Sequence, residues 1–229
     1  MRGVVTYDTF RAVIKHATSS KLAADAILAT GDLVQDETRT GYERFSEVLT
    51  PLQKPVLCIP GNHDAPNIMA STLAPPLFQV GGSWQRQGWS VILLSSFARG
   101  DDGGQLSTEE LHRLENLLTE HADLHTLVCL HHHPVPMGSA WLDGVALRNA
   151  DELMQIIDRA PQVRGIVWGH VHQASDRMRN DVHLISSPST CSQFKPDCDT
   201  FEIDERPPGY RWIELHGDGT ISTEVIWLD

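Results

Sequence analysis

Short apolar runs alternate along this chain with segments of helical periodicity, and this alternation restricts the fold more than any other feature. It predicts an α/β architecture in which each strand is followed by a helix or a loop. The 229 residues, 41% of them hydrophobic, suffice for one large core. With no repeat and no low-complexity linker, residues 1–229 are interpreted as a single domain. The strand-like runs with polar ends lie at 25–32, 55–64, 125–133 and 163–172.

The chain is acidic, with a formal net charge of -12. An acidic surface disfavours nucleic acid and anionic membranes as partners, unless a bound cation reverses the charge locally. No apolar run approaches the ~18 residues of a membrane span, and the N-terminal residues lack the pattern of a secretory signal. The four cysteines have no metal or redox spacing and are interpreted as reduced thiols. We therefore expect a cytoplasmic protein.

Four strand-like runs end in polar clusters. In α/β sheets, ligands bind beyond the carboxyl ends of the strands, so we expect these clusters to meet in one crevice. Carboxylate, amide oxygen and imidazole are ligands of hard and borderline divalent metals. The residues that we expect in the crevice are Asp32, Asn62, His63, His131, His170 and His172.

Each cluster taken alone has a simpler interpretation as a turn, a helix cap or a solvated loop. Their occurrence at four strand ends favours a metal site. Because the clusters contain no cysteine, a structural zinc site is disfavoured. Several histidines, a carboxylate and an amide oxygen suit two ions that bind a phosphoryl group between them.

Three consecutive histidines end the third of these strands. Strand geometry lets His131 face the crevice and turns its neighbour His132 away from it. His133 precedes a proline, which favours extended backbone. We therefore predict that His131 is the one metal ligand of the three and that His132 supports the site from behind.

The segments GDLVQD, GNHD, LHHHP and GHVH resemble, in order, the motifs of the calcineurin-like metallophosphoesterase superfamily. Longer stretches, such as SSPSTCSQFKP and GYRWIELHGDGTISTEV, are similar to the bacterial class III phosphodiesterases that act on 3′,5′-cyclic AMP. The resemblance covers nearly the whole chain. It implies a single phosphoesterase domain with a four-layer α/β/β/α fold, in which two mixed sheets form a β-sandwich flanked by helices.

The resemblance also implies a metal-dependent phosphodiesterase that converts cyclic AMP, and other cyclic nucleotides as an option, to the 5′-nucleotide. Two divalent ions, iron or manganese or else zinc, would form the centre. By analogy one ion takes Asp32, Asn62, His131 and His170, and the other takes Asp32 and His172. No oligomeric state is predicted.

In the mechanism that the resemblance implies, Asp32 bridges the ions and a hydroxide held between them attacks phosphorus. His63 binds the phosphate or protonates the leaving 3′ oxygen, unless it only hydrogen-bonds Asp64 in a turn. Substrate contacts are expected from Asp32, Asn62, His63 and His172. Supporting roles behind the ligands are expected for Asp36, Asp64 and His132, with Asp64 orienting an imidazole.

Two residues elsewhere, Trp141 and Lys195, each have two open interpretations. Trp141 either stacks on the base or packs under its loop. Arg148 and Asn149 stand at a predicted helix start near the same loop, and Lys195 is a phosphate contact or, more simply, a surface charge.

One family motif is missing, since no Asp-x-His occurs before Gly31. We therefore expect the first strand to be missing, with a gap in one sheet, and interpret the reading frame as shortened at its N-terminus. Two alternatives stay open: a phosphodiesterase for glycerophosphodiesters or generic phosphodiesters, and an inactive relic that binds a metal or a nucleotide.

Overall fold

The computed structural model describes residues 3–19 and 23–229. Its strands are β1 (Ile27–Ala29), β2 (Val56–Cys58), β3 (Phe78–Val80), β4 (Gly82–Arg86), β5 (Trp89–Leu93), β6 (His125–Leu130), β7 (Val163–Trp168), β8 (Asp176–Arg179), β9 (Val182–Ser186), β10 (Gly209–Leu215) and β11 (Ile221–Trp227). Its helices are α1 (Thr6–Ser19), α2 (Arg39–Leu49), α3 (Pro66–Thr72), α4 (Thr108–Glu120), α5 (Ala140–Asp143) and α6 (Ala150–Asp158), with a 3-10 turn at Thr50–Leu52.

One layer is a six-stranded mixed sheet in the order β4-β5-β6-β7-β9-β8. Its four central strands run parallel, and β4 and β8 pair antiparallel at the two edges. The second layer has two parts: a parallel sheet β1-β2-β3 and an antiparallel pair β10-β11. Among the described residues, β1 pairs only with β2, and β10 pairs only with β11.

Apolar side chains between the two layers form a shared core. Leu57 and Ile59 from the three-stranded sheet pack with Val91 and Leu93 of the six-stranded sheet, and Ile213 of β10 joins them. Helices cover the outer faces, since Tyr42 and Phe45 of α2 lie in one outer cluster and Leu114 of α4 and Leu153 of α6 lie in the other. The predicted sandwich of sheets flanked by helices is therefore confirmed.

Ser107, followed by Glu110 three residues later, predicts a reciprocal cap at the start of α4, and only half of this cap forms. The Ser107 hydroxyl accepts a hydrogen bond from the backbone N–H of Glu110 at 3.2 Å. The Glu110 carboxylate does not complete the reciprocal bond, because it accepts from the Ser95 backbone N–H at 2.9 Å and from Arg113. Glu110 thus ties the helix start to the end of β5.

None of the four cysteines, all within the described residues, forms a disulfide, in agreement with the predicted thiols. Burial raises the pKa of Cys58 to about 12, so this thiol stays protonated. Over residues 3–19 and 23–229, no helix has both the length and the apolar character required of a membrane span.

Candidate active site

The loops after β1, β2, β6 and β7 carry the predicted site residues. These strands are parallel to their neighbours, so their carboxyl ends lie at one end of the sandwich. Backbone hydrogen bonds join neighbouring loops within each layer: Gly169 N–H donates to His131 O at 3.2 Å, and Ile59 N–H donates to Ala29 O at 3.2 Å. Across the two layers, Nδ1 of His131 lies 2.7 Å from the Thr30 carbonyl oxygen. The structure therefore brings the strand ends together, as expected.

Four donor atoms converge at this position. Nε2 of His131 lies 3.2 Å from Asn62 Oδ1 and 3.4 Å from Asp32 Oδ2. Nδ1 of His170 lies 3.1 Å from Asn62 Oδ1 and 3.2 Å from His131 Nε2. Two imidazoles, an amide oxygen and a carboxylate that close together match the donor set of a divalent cation.

The orientation of His131 is fixed from behind. Its Nδ1–H donates to the backbone carbonyl of Thr30 at 2.7 Å. In the neutral ring this bond leaves Nε2 unprotonated, with its lone pair directed at Asn62 and Asp32. A second hydrogen bond of this kind is how proteins orient an imidazole that ligates a metal.

The electrostatics of Asp32 and His131 are coupled. Burial alone would raise the pKa of Asp32, but its attraction to His131 and the hydrogen bond from His63 N–H lower the pKa well below its usual range. Burial alone would lower the pKa of His131, but the Asp32 carboxylate raises it. Both shifts favour the charged forms of the two side chains, so a proton on His131 and a cation compete for the same position.

The loop backbone is strained where it presents these donors. Asp32, His170 and His172 all have positive φ, at 56°, 62° and 48°. This left-handed conformation is uncommon for residues with a side chain and costs energy that the surrounding contacts must offset. Clusters of such residues are typical of functional sites.

Two glycines let the loops approach one another closely. A Cβ on Gly61 would lie 2.1 Å from Asp32 Oδ1, and a Cβ on Gly31 would lie 2.4 Å from His131 Nδ1. Both distances are far shorter than any non-bonded contact, so neither position accepts a side chain.

His172 lies beside the donor cluster. Burial lowers its pKa to about 4, and the charges of Asp32, His131 and His63 also act on it. Its Nδ1–H donates to the Ser192 carbonyl at 2.8 Å, which leaves Nε2 for a ligand.

His63 is half-buried at the rim of the site. Its backbone N–H donates to Asp32 Oδ1 at 3.0 Å, and Nδ1 of its ring lies 3.1 Å from Nε2 of Gln35. The imidazole does not hydrogen-bond Asp64, as the simpler interpretation of the turn required, because that carboxylate is engaged elsewhere.

Asp64 is a correction to the sequence prediction. Its buried carboxylate accepts from the backbone N–H groups of Gly61 at 2.8 Å and Leu33 at 3.1 Å and from the Tyr42 hydroxyl at 3.0 Å. Burial raises its pKa, although these bonds oppose the shift. Asp64 therefore joins the loops after β1 and β2 and does not orient an imidazole.

Asp36 is a second correction. It is exposed, and its carboxylate accepts from the backbone N–H and hydroxyl of Thr38, which itself caps α2. It hydrogen-bonds no site residue among those that the structure describes, because its carboxylate is engaged at the start of α2.

His132 shows why proximity alone does not make a ligand. One nitrogen each of His131, His132 and His170 lies within 4.8 Å of the others. However, Nδ1 of His132 accepts from the Ser96 hydroxyl at 2.8 Å and its Nε2–H donates to the Asp102 carbonyl at 3.2 Å. Both nitrogens are thus committed, and burial lowers the pKa of this ring to about 3.

His133 packs behind His170. The two rings are nearly parallel, at 19° and 5.7 Å between centroids. Nε2 of His133 lies 3.4 Å from Asp143 Oδ1, yet burial lowers the pKa of the ring to about 4. Among the described residues, Nε2 of His170 has no hydrogen-bond partner. Nδ1 is therefore the ring nitrogen that faces Asn62 and His131.

Trp141 packs its ring edge-on against Phe194 at 5.3 Å and against Phe201 at 5.0 Å, which favours packing over base stacking.

Arg148 forms an ion pair with Asp101. The Asn149 side chain bonds both the backbone N–H and the carbonyl of Leu106 and begins α6. Lys195 is a surface charge paired with Glu202 at 2.8 Å.

Sequence reasoning missed four residues that hold the site: Gln35 on His63, Tyr42 on Asp64, and Ser192 and Phe194 on His172. The first two lie close to a recognised motif, but each could be assigned only from a contact between loops that are distant in the chain.

Comparison with known proteins agrees with this geometry. The sequence profile described as calcineurin-like phosphoesterase matches residues 3–174. The chain is 44% identical to the 3′,5′-cyclic adenosine monophosphate phosphodiesterase CpdA of Haemophilus influenzae, over 97% of this chain and 82% of that protein. It is 40% identical to CpdA of Escherichia coli K12, over 97% of this chain and 82% of that protein.

Among solved structures, a dimetal phosphatase from Danio rerio superposes with a TM-score of 0.66. The match covers 90% of this chain and 84% of the other at 12% identity, so it shows the fold alone. The matching profile, the long alignments to CpdA and the shared fold agree with the four motifs that meet at the strand ends. The chain belongs to the calcineurin-like phosphoesterase family.

Proposed function

We propose that this chain is a metal-dependent phosphodiesterase that hydrolyses 3′,5′-cyclic AMP to 5′-AMP. The observation that carries the proposal is the convergence of four atoms, with neighbouring atoms 3.1–3.4 Å apart: His131 Nε2, His170 Nδ1, Asn62 Oδ1 and Asp32 Oδ2. The chain is also 37–44% identical to relatives named as cyclic AMP phosphodiesterases. The substrate class is inferred from those relatives.

The family implies a dinuclear divalent metal centre, and the residues present fit one. Asp32, Asn62, His131 and His170 would hold one ion, while Asp32 and Nε2 of His172 would contribute to the other. Bound ions would supply the positive charge that attracts a phosphodiester to this acidic chain and generate a strong nucleophile from water. Iron and manganese are the metals that we favour, and zinc shares the same donor preferences.

The chain's own residues supply binding and proton transfer. His63 lies beside Asn62, and its backbone is held by Asp32, so its ring borders the place where a phosphoryl group would bind. With Nδ1 facing the Gln35 side chain, Nε2–H can hydrogen-bond the phosphate, and the imidazolium form would pass this proton to the leaving 3′ oxygen and return to the neutral ring. Asp32 and Asn62 would hold a cation between the loops, and that cation would supply the positive charge that binds the phosphate.

The test is hydrolysis by the purified full chain, stripped of metal and reloaded separately with Mn²⁺, Fe²⁺ or Zn²⁺. Cyclic AMP, cyclic GMP, glycerophosphocholine and bis(p-nitrophenyl) phosphate are compared by kcat/KM, with the product identified by chromatography. We expect cyclic AMP to be preferred at least tenfold over glycerophosphocholine and to yield 5′-AMP. Preference for glycerophosphocholine would overturn the substrate assignment, and metal binding without turnover would identify a relic.

His63→Ala is the matched variant for the acid role. We expect turnover of cyclic AMP to fall by about two orders of magnitude, the usual contribution of a general acid. Turnover that stays within a few-fold of wild type, with metal content unchanged, would remove His63 from the mechanism.

A further inference from the structure

His172 is held from three sides by one short segment of chain. Its Nδ1–H donates to the Ser192 carbonyl at 2.8 Å, and its own carbonyl accepts from the Phe194 N–H at 3.0 Å. The Phe194 ring lies flat against the imidazole, at 4.0 Å between centroids and 9° between planes. This is the shortest and most nearly parallel ring contact around the site.

The stacking contact with Phe194 fixes the plane of the His172 imidazole, which the hydrogen bonds alone leave free to tilt. The bond from Nδ1 to Ser192 decides which nitrogen points away, but the imidazole can still tilt about that bond. A flat ring at 4.0 Å removes the tilt and sets the plane in which the Nε2 lone pair lies. The φ of 48° at His172 strains its backbone, so the plane also depends on contacts that hold this conformation.

Phe194 is itself immobilised. Its side chain is 7% exposed, and its other ring contacts are edge-on, with Trp141 at 5.3 Å and Phe201 at 5.1 Å. The preceding Gln193 is 1% exposed and bonds both the backbone N–H and the carbonyl of Ser189, at 2.9 and 2.8 Å. The segment around Phe194 is thus held firmly enough to restrict the orientation of the His172 ring.

We propose that Phe194 is a positioning residue that fixes the imidazole plane of His172 and thereby aims Nε2 at the metal centre. The inference rests on the proposed role of His172 as a metal ligand. Phe194 touches no reacting group. It acts through the ligand, as outer contacts of metal-binding histidines do.

The experiment is a Co²⁺ titration of the metal-stripped full chain, followed by visible absorption, which reports the ligand field. Phe194→Leu removes the flat ring and keeps an apolar side chain. Phe45→Leu is the matched control, because Phe45 is also 7% exposed and stacks on one ring, Phe10, at 5.4 Å and 10°, in a different core cluster. Should Leu at position 194 prevent folding, Phe194→Met, whose flexible side chain fills irregular gaps, replaces it.

We expect Phe194→Leu to weaken Co²⁺ binding about tenfold and to change the absorption bands, the usual effect of losing an outer contact of a ligand. Phe45→Leu should lower the melting temperature similarly but leave Co²⁺ affinity within about twofold of wild type. In a His172→Ala background the same change at Phe194 should have no further effect on affinity, since the two residues act as a unit.

Two results would overturn the inference: unchanged Co²⁺ affinity and spectrum in Phe194→Leu, or an equal loss in the His172→Ala background. The underlying proposal fails separately, and takes the inference with it, if wild type binds no Co²⁺ or if His172→Ala alone alters neither affinity nor spectrum.

Discussion

Nε2 of Gln35 lies 3.1 Å from Nδ1 of His63, and this contact selects the tautomer of the imidazole. An amide N–H that donates to Nδ1 requires the ring proton to sit on Nε2. The 15N signals of the two ring nitrogens in the metal-free protein report this tautomer directly. We expect the Nε2–H form, and observation of the Nδ1–H form would contradict the assigned contact.

Replacement of Gln35 by leucine should impair one class of substrate selectively. Without the donor, His63 loses its preferred tautomer and orientation, so we expect cyclic AMP turnover to fall about tenfold. Bis(p-nitrophenyl) phosphate has a leaving group that needs no proton, and its turnover should change by less than about twofold. Gln155→Leu, on the exposed face of α6, is the control. An equal loss on both substrates would indicate a general structural role.

The stability of the metal-free protein should fall as the pH drops from about 7 to about 5. Burial lowers the pKa of His132 to about 3, of His133 and His172 to about 4, and of His170 well below its usual value. These four rings stay neutral in the folded protein, but they take up protons in the unfolded chain below about pH 6.5. The unfolded state therefore binds more protons at about pH 5, which favours unfolding.

His131 has the opposite shift, since Asp32 raises its pKa despite burial. Its stabilisation is present below its unfolded pKa and is lost as pH rises through its folded pKa. It therefore opposes part of the expected loss near pH 7 and adds no slope at about pH 5. Urea unfolding with a chelator present, at the two pH values, measures the net effect. Equal free energies of unfolding would show that the four rings are not buried and neutral.

Gly61→Ala should abolish the metal site. The new methyl group would stand 2.1 Å from Asp32 Oδ1 and 2.5 Å from its backbone nitrogen, so the loop must move and separate the donors. Gly217→Ala, where nothing lies within 4 Å, is the control and should change stability by less than about 1 kcal/mol. Calorimetric Mn²⁺ binding and thermal melting separate the two effects, and retained Mn²⁺ affinity in Gly61→Ala would contradict the geometry.

Tyr42→Phe should destabilise the fold by about 1–3 kcal/mol, the usual result of leaving buried polar partners unpaired. Tyr42 is 0% exposed; its hydroxyl donates to Asp64 Oδ1 at 3.0 Å and accepts from Ala65 N–H at 2.8 Å. Burial and the Asp64 charge raise the pKa of Tyr42, so the hydroxyl keeps its proton. Urea unfolding measures the loss, with Tyr7→Phe on the half-buried side of α1 for comparison. An unchanged midpoint would show that the bond between Tyr42 and Asp64 adds nothing.

The layered fold and the residues at the strand ends were predictable because they depend on local pattern. Apolar runs of strand length, each followed by polar residues, predict where β1, β2, β6 and β7 end. The alternation of strand faces also separated His131 from His132, whose nitrogens turn to Ser96 and Asp102. The errors at Asp36 and Asp64 have one origin, since a carboxylate near a motif can bond a backbone amide as readily as an imidazole.

By itself the sequence determined the donor set and the order of its loops, because strand periodicity and glycine turns act over a few residues. Only the tertiary structure decided which atoms support the donors: Thr30 O on His131 from 101 residues away, Phe194 on His172 across two loops, and Gln35 on His63 from 28 residues away. Those contacts form where separate strands end side by side, and no local pattern encodes the distance between two loops that meet only in the folded chain.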